Sequence, residues 1–188
     1  MDEESRKASD MGKLYFVRHG QTVWNVENKI CGSTDSPLTE QGLAQAEALG
    51  EKILEEKIHI DEIIYSPLSR AADTAKKISE VTGILARVEP RLMEQNFGKW
   101  ESTPRDGLEF KYEKEKFVCS FDGGESMLRL CQRIYNLIDD IKKEENKVYL
   151  LVAHNGISRA VQSYFTDMSN TEFAEFGIKN CEIKRSNF

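Results

Sequence analysis

Cysteine is scarce and scattered. Cys31, Cys119, Cys131 and Cys181 never approach Cys-x-x-Cys spacing, which argues against a disulfide scaffold or a zinc site. No apolar run approaches the length of a membrane span, and the N-terminus has no hydrophobic leader core. No membrane partner is expected, and a reduced, cytoplasmic setting is. Positive charge is in deficit, with 26 Lys+Arg against 32 Asp+Glu and a formal net charge of −6. That balance makes nucleic acid a poor partner. It also sits awkwardly with an enzyme whose substrate is an anion. Histidine is rarer still, at three of 188 residues, so any pattern among them carries weight.

What is present describes an ordinary globular chain. Apolar residues at 39% and aromatics at 9% are too many for a disordered one. A chain of this length buries roughly 70% of its unfolded surface. Residues 1–12 are polar and patternless and read as a flexible lead-in, with Met11 an alternative start; residues 13–188 read as a single domain.

Leu14–Val17 is a short apolar run ending in Arg18-His19-Gly20, a buried strand entering a turn. Thr39 caps a helix whose Leu43, Ala46, Gly50 and Ile53 recur at helical spacing. Asp61–Tyr65 reads as a second strand. Ser66-Pro67 gives an N-cap with Pro at the first helical position, and Gly83 closes that helix. Leu85–Val88 is a further strand. Between Arg105 and Lys116 eight of twelve residues are charged, with Leu108, Phe110 and Tyr112 interleaved. This predicts a charged excursion, about 95–122, over the sheet edge. Met127, Cys131, Ile134, Ile138 and Ile141 mark a long helix. Val148–Ala153 is the most apolar strand, Ile157 to Met168 an amphipathic helix, and Cys181–Lys184 a last short strand. Alternating strands and helices predict a three-layer α/β/α sandwich around a mostly parallel sheet, with ligands at the carboxyl ends of the strands.

Two of the three histidines, His19 and His154, fall at such strand ends, each beside a Gly-containing turn. One alone would read as structural; the coincidence points to a shared site. Arg18, Gln21, Thr22 and Asn25 leave the first strand as a run of donors suited to a phosphate or other oxyanion. Arg70, in the first turn of its helix, projects from the same edge. His59 reads as a surface residue.

Six blocks carry a resemblance across residues 13–185: LYFVRHGQTVWN (14–25), GSTDSPLTEQGLAQA (32–46), SPLSRAADTA (66–75), EQNFGKWE (94–101), GGES (123–126) and VAHNGISR (152–159). In this order and spacing the chain resembles the histidine phosphatase superfamily, the group that includes cofactor-dependent phosphoglycerate mutases. The resemblance implies that His19 is the nucleophile, forming a phosphohistidine. Its neighbouring arginines would keep it neutral, and a backbone carbonyl would hold its tautomer. Arg18, Arg70, His154 and Asn25 would surround the phosphoryl oxygens. Glu94 would be the general acid and base, a role that suits a partly desolvated carboxyl of raised pKa. Gln21, Thr22, Cys31, Gly32 and Asn155 would contact phosphate or substrate. Glu125 would fix the Gly123-Gly124 turn and the helix start. No metal and no cofactor are implied.

Departures from the mutase pattern favour a hydrolase. The stretch 95–122 contains no Arg-Arg pair, its EQNFGKWE block is closer to phosphatase relatives, and little chain follows the last strand to cover the pocket. Asn155 after His154 leans the other way. The expectation is a metal-independent phosphomonoesterase on a small phosphorylated metabolite. A phosphoglycerate mutase is the alternative, and a non-catalytic phospho-ligand binding protein the less favoured one. Sugar phosphates, glycolytic acids and cofactor-precursor phosphates all fit as substrates, as do a monomer and a homodimer as assemblies. Lys99, Arg105, Lys111, Lys114 and Lys116 are either specificity residues on the excursion or solvated charges.

Overall fold

Leu14–Val17 has no polar residue to turn outward, so both of its faces must be covered. In the computed structural model, which describes residues 13–144 and 146–188, this run lies in strand β1 (Lys13–Arg18). The expected lead-in, 1–12, lies outside the described residues. The sheet has five strands in the order β3–β2–β4–β1–β5, with β2 Glu62–Tyr65, β3 Ala86–Val88, β4 Tyr149–Ala153 and β5 Ile183–Asn187. The first four run parallel, and β5 is antiparallel to β1.

The helices are α1 (Val23–Val26), α2 (Glu40–Glu55), α3 (Ser69–Thr82), α4 (Leu108–Lys114), α5 (Met127–Lys142), α6 (Asn155–Phe165) and α7 (Asn170–Glu175). On one face of the sheet Leu14, Phe16 and Leu151 pack with Leu130 and Ile134 of α5 and Ile157 of α6. On the other, Val17, Leu150 and Val152 meet Leu49 and Ile53 of α2 and Ile78 of α3. This is the α/β/α sandwich the alternating pattern predicts.

A third apolar cluster, Ile30, Phe97, Phe110, Phe121, Met127 and Phe173, draws on the 95–122 segment. The charged excursion is therefore anchored rather than wholly solvated. Phe110 on α4 is buried, with its ring 5.4 Å from Phe97, while Leu108 and Tyr112 face outward.

Several local expectations are corrected. Helix α3 starts at Ser69, not at Pro67; the Ser66 hydroxyl pairs with His154 Nε2 at 2.6 Å and accepts from Leu68 N at 3.4 Å. The carboxylate of Asp35 instead accepts from Ser69 N at 2.6 Å and caps the helix from outside. Leu43 is exposed; the inward face of α2 is Gly42, Ala46, Leu49, Gly50 and Ile53. Helix α6 stops at Phe165, and Met168 packs on the third cluster. The last strand begins at Ile183, since Cys181 takes a left-handed φ of 53° and its N–H donates to Arg18 O.

The turn after β1 lies directly on the first turn of α2. A Cβ added at Gly42 would sit 2.1 Å from Gln21 O, and one at Gly20 would sit 2.4 Å from Gly42 O. In an exposed helix, Gly→Ala stabilises by about 0.5–1 kcal/mol. Here the sign is reversed: Gly42→Ala is expected to cost about 1–3 kcal/mol through overpacking. Thermal unfolding checks this, with Tm falling by about 2–4 °C for each kcal/mol in a chain of this size.

Candidate active site

Strands β1 and β4 are neighbours in parallel register, with Arg18 opposite Ala153. Their carboxyl ends therefore deliver His19 and His154 side by side. The ring centroids are 5.2 Å apart. His19 N–H donates to Ala153 O at 2.9 Å, continuing the ladder one residue past the strand. The His19 Nδ1–H donates to Gly20 O at 2.7 Å, which leaves Nε2 with its lone pair. Burial, then Arg70 and Arg18, hold the His19 imidazole well below its ordinary pKa. Burial followed by Arg70 does the same for His154. Both rings are neutral at physiological pH.

Arg70 is fully buried. Its Nη1 donates to Thr34 O at 3.0 Å and to Asp35 Oδ1 at 3.1 Å, and its Nη2 to Gly32 O at 2.7 Å. Arg18 Nη1 donates to Ile178 O at 2.8 Å, and burial first, then Arg105, lowers its pKa to about 10. After these bonds, Arg18 Nε, Arg70 Nε and His154 Nδ1 remain buried without a partner. An unsatisfied buried polar group costs about 1–3 kcal/mol, and more when it is charged. An anion held among these nitrogens would recover that cost.

Glu94 approaches from the loop after β3. It is 5% exposed. Its Oε1 accepts from Gln95 N at 2.8 Å and its Oε2 from Gly156 N at 2.9 Å, in the first turn of α6. A Cβ at Gly156 would fall 2.3 Å from Glu94 Oε1, so only glycine admits this approach. The loop is braced from behind. Gln95 Nε2 donates to Glu125 O at 3.0 Å, and the Glu125 carboxylate receives Arg133 Nε and Nη2 at 2.8 Å each. Glu125 thus braces the Glu94 loop, while the start of α5 is capped by Ser126, whose side chain accepts from Arg129 N.

A cavity of about 160 Å³ opens in front of these residues. Of the site residues proposed from the sequence, Arg18, His19, Asn25, Cys31, Glu94 and Asn155 line it. Asn25 Oδ1 accepts from Thr22 N and from Asn180 Nδ2, so its amide NH2 is the end left for a ligand. Arg70 and His154 are not among the residues that line the cavity; both are fully buried, and Arg70 Nε and His154 Nδ1 are without a partner.

Three predicted contacts are used elsewhere. Gln21 Oε1 accepts from Thr39 Oγ1 at 2.9 Å. Thr22 is the N-cap of α1, its Oγ1 accepting from Asn25 N. Gly32 gives its carbonyl to Arg70 and lies under Glu101 and Gln95, where a Cβ would be 2.4 Å from Glu101 Oε1. Of the five cations offered by the excursion, Arg105 and Lys114 reach the cavity, and Lys99, Lys111 and Lys116 do not. Two functional candidates were missed. Arg159 lines the cavity one helical turn after Asn155, and Asn180 Nδ2 donates to His19 O at 2.8 Å. The i, i+4 spacing from Asn155 was the available signal for Arg159; Asn180 offered none.

The model of the histidine phosphatase superfamily (branch 1) matches residues 14–188. A curated protein of Yersinia pestis (strain Pestoides F), named "Probable phosphoglycerate mutase GpmB", is 32% identical over 95% of this chain and 86% of its own length. Among solved structures, a mycobacterial glucosyl-3-phosphoglycerate phosphatase complexed with VO3 has a TM-score of 0.80 at 28% identity, covering 92% of this chain and 90% of that one. The phosphoserine phosphatase of Entamoeba histolytica, in complex with 3-phosphoglyceric acid, has a TM-score of 0.80 at 30% identity, covering 92% and 89%. No helix among the described residues is long and apolar enough to cross a membrane.

Proposed function

The chain belongs to the histidine phosphatase superfamily, and from that premise we propose that it is a metal-independent phosphomonoesterase acting on a small phosphorylated metabolite. The observation that carries this reading is a neutral His19 with a free Nε2, set among the unpartnered Arg18 Nε, Arg70 Nε and His154 Nδ1.

In the proposed sequence, His19 Nε2 attacks phosphorus in line, and the ester P–O bond breaks as the N–P bond forms. The two arginines and His154 take up charge on the equatorial oxygens, already oriented before substrate arrives. Glu94 delivers a proton to the leaving alkoxide. It then accepts one from water as the water attacks the phosphohistidine, releasing phosphate and restoring His19. Preorganised cations supply the neutralisation that a metal would otherwise provide. The domain 13–188 carries all of these groups, and a reduced cytoplasm suits the four free cysteines.

The absence of an Arg-Arg pair from 95–122 and the phosphatases among the structural neighbours support hydrolysis. The name of the Yersinia relative, together with Asn155 at the cavity, favours a mutase as the second reading. One pair of assays separates them. Release of phosphate from an aryl phosphate is expected to continue in EDTA; loss on chelation overturns the metal-independent mechanism. With 3-phosphoglycerate and a bisphosphoglycerate primer, phosphate release is expected. Rapid isomerisation without release would make the mutase reading the correct one.

A further inference from the structure

A neutral imidazole has one donor nitrogen and one acceptor nitrogen, and the bond made by one decides the role of the other. For His19 the carbonyl of Gly20 makes that choice and leaves Nε2 bare. His154 is neutral as well, since burial and then Arg70 hold its pKa well below the ordinary value. Its ring lies 5.2 Å from that of His19, and its Nδ1 is buried without a partner. A bare Nδ1 would set a lone pair against a phosphoryl oxygen and repel it. A protonated Nδ1 would donate to that oxygen. The choice therefore falls to whatever Nε2 meets.

Nε2 meets Ser66. Strands β2 and β4 run parallel with Tyr65 opposite Val152, and Ser66 N–H donates to Val152 O at 3.1 Å. That register carries Ser66 to the same sheet edge as His154, where Oγ and Nε2 are 2.6 Å apart. Both residues are fully buried. The other bond of the hydroxyl comes from Leu68 N–H, which donates to Oγ at 3.4 Å. Nε2 of His154 is thus the only acceptor that the hydroxyl proton has among the described residues. With O–H donated to Nε2, the ring proton sits on Nδ1, and a single donor is left unmet. The opposite tautomer leaves two groups unmet, the hydroxyl proton and the Nδ1 lone pair. Each unmet buried polar group is destabilising, so the first arrangement wins.

Resting on the phosphomonoesterase reading, we infer that Ser66 is a positioning residue. Its hydroxyl fixes the Nδ1–H tautomer of His154 and so makes that ring a hydrogen-bond donor to the phosphoryl group at His19. Both histidines then carry their proton on Nδ1 but play opposite parts. His19 offers a lone pair to phosphorus, and His154 offers a proton to an equatorial oxygen.

Three histidines in the whole chain make the tautomers directly readable. Nitrogen-edited NMR of the imidazole rings separates protonated from bare nitrogens, and His154 is expected to show Nδ1–H at neutral pH. A proton on Nε2, or on both nitrogens, would overturn the proposal without any substitution. In Ser66→Ala the Nε2–H form should appear, and the affinity for orthovanadate, a mimic of the transferring phosphoryl group, should fall about tenfold. For p-nitrophenyl phosphate kcat/KM should fall by about 10–100-fold, short of the roughly 10²–10³-fold cost of deleting an entire oxyanion donor. Ser66→Thr keeps the hydroxyl and should restore both the tautomer and most of the activity. In a His154→Ala background, Ser66→Ala should change kcat/KM by less than about twofold, because a residue acting through His154 has nothing left to act on. An unchanged tautomer in Ser66→Ala, or a loss of equal size with and without His154, would reduce Ser66 to a structural part. The tautomer and the vanadate affinity are read without turnover. Absence of phosphate release from the unaltered protein would therefore sink the phosphomonoesterase reading alone, and turnover by a His154 protonated on Nε2 would sink the role of Ser66 alone.

Discussion

His19→Ala is expected to lower phosphate release by about 10⁴–10⁶-fold, the loss of roughly 5–8 kcal/mol of transition-state stabilisation that removal of a covalent nucleophile produces. The atoms involved have no substitute. Nδ1–H is committed to Gly20 O, so Nε2 is the only nucleophilic nitrogen of that ring. His154 is not placed to take over: its Nε2 is bonded to the Ser66 hydroxyl at 2.6 Å, and its fully buried ring is not among the groups that line the cavity. The four cysteines offer no replacement either. Cys31 alone lines the cavity, and burial raises its thiol pKa, keeping it protonated and a poor nucleophile.

The same substitution has a counterpart in the pH profile. An imidazole attacks only when neutral, and burial with Arg70 and Arg18 keeps His19 neutral to well below the ordinary imidazole range. Activity of the unaltered enzyme is therefore expected to persist as pH falls through 6.5, with its acid limb well below that value. Rapid-quench trapping of a phosphoenzyme checks both statements. An acid-labile, alkali-stable phosphoryl adduct should form in the unaltered protein and be absent from His19→Ala. Substantial turnover by folded His19→Ala, or an acid limb centred near pH 6.5, would defeat the assignment.

The parts of this site that were legible in the sequence are those fixed by strand ends. A strand's final residue is marked by the change from apolar to polar character, and β1 and β4 pair in register, so their two histidines must meet. Glu94 was legible only through the resemblance of its block, since nothing in its local pattern says that a carboxylate will fold onto Gly156 N. The errors share one physical cause: a polar side chain was assigned to the ligand when local structure had already engaged it. Thr22 is consumed in capping α1 and Gln21 in holding Thr39; Ser66, expected as a helix N-cap, is likewise engaged, by His154. What the sequence left open is non-local. Arg105 and Lys114 read either as specificity residues or as solvated charges within a run of alternating sign. Only the burial of Phe110 and Phe97 turns that segment inward and places two of its five cations on the cavity. A net charge of −6 spread over the surface coexists with this pocket because a few converging cations set the local field.

Glu94→Gln should separate the two halves of the reaction. Both carboxylate oxygens already accept main-chain N–H groups, from Gln95 and from Gly156. A glutamine retains one acceptor and places an NH2 against the other donor. The side chain keeps its size and loses the ability to give or take a proton. For an alkyl phosphate, whose leaving alkoxide must be protonated, kcat/KM is expected to fall by about 10²–10⁴-fold. For p-nitrophenyl phosphate the leaving group departs without help, so phosphorylation of His19 should remain fast. The second step still requires a base to activate water. Stopped-flow records of Glu94→Gln should therefore show a burst of close to one equivalent of p-nitrophenolate, followed by a slow steady state with phosphoenzyme accumulated on His19. A neighbouring acid that merely stabilised the fold would slow both esters alike and give no burst. Equal losses on the two substrates would therefore move the proton-transfer role away from Glu94. A burst together with a lost alkyl activity would fix it there, because no other carboxylate among the described residues lines the cavity to protonate one leaving group and activate one water.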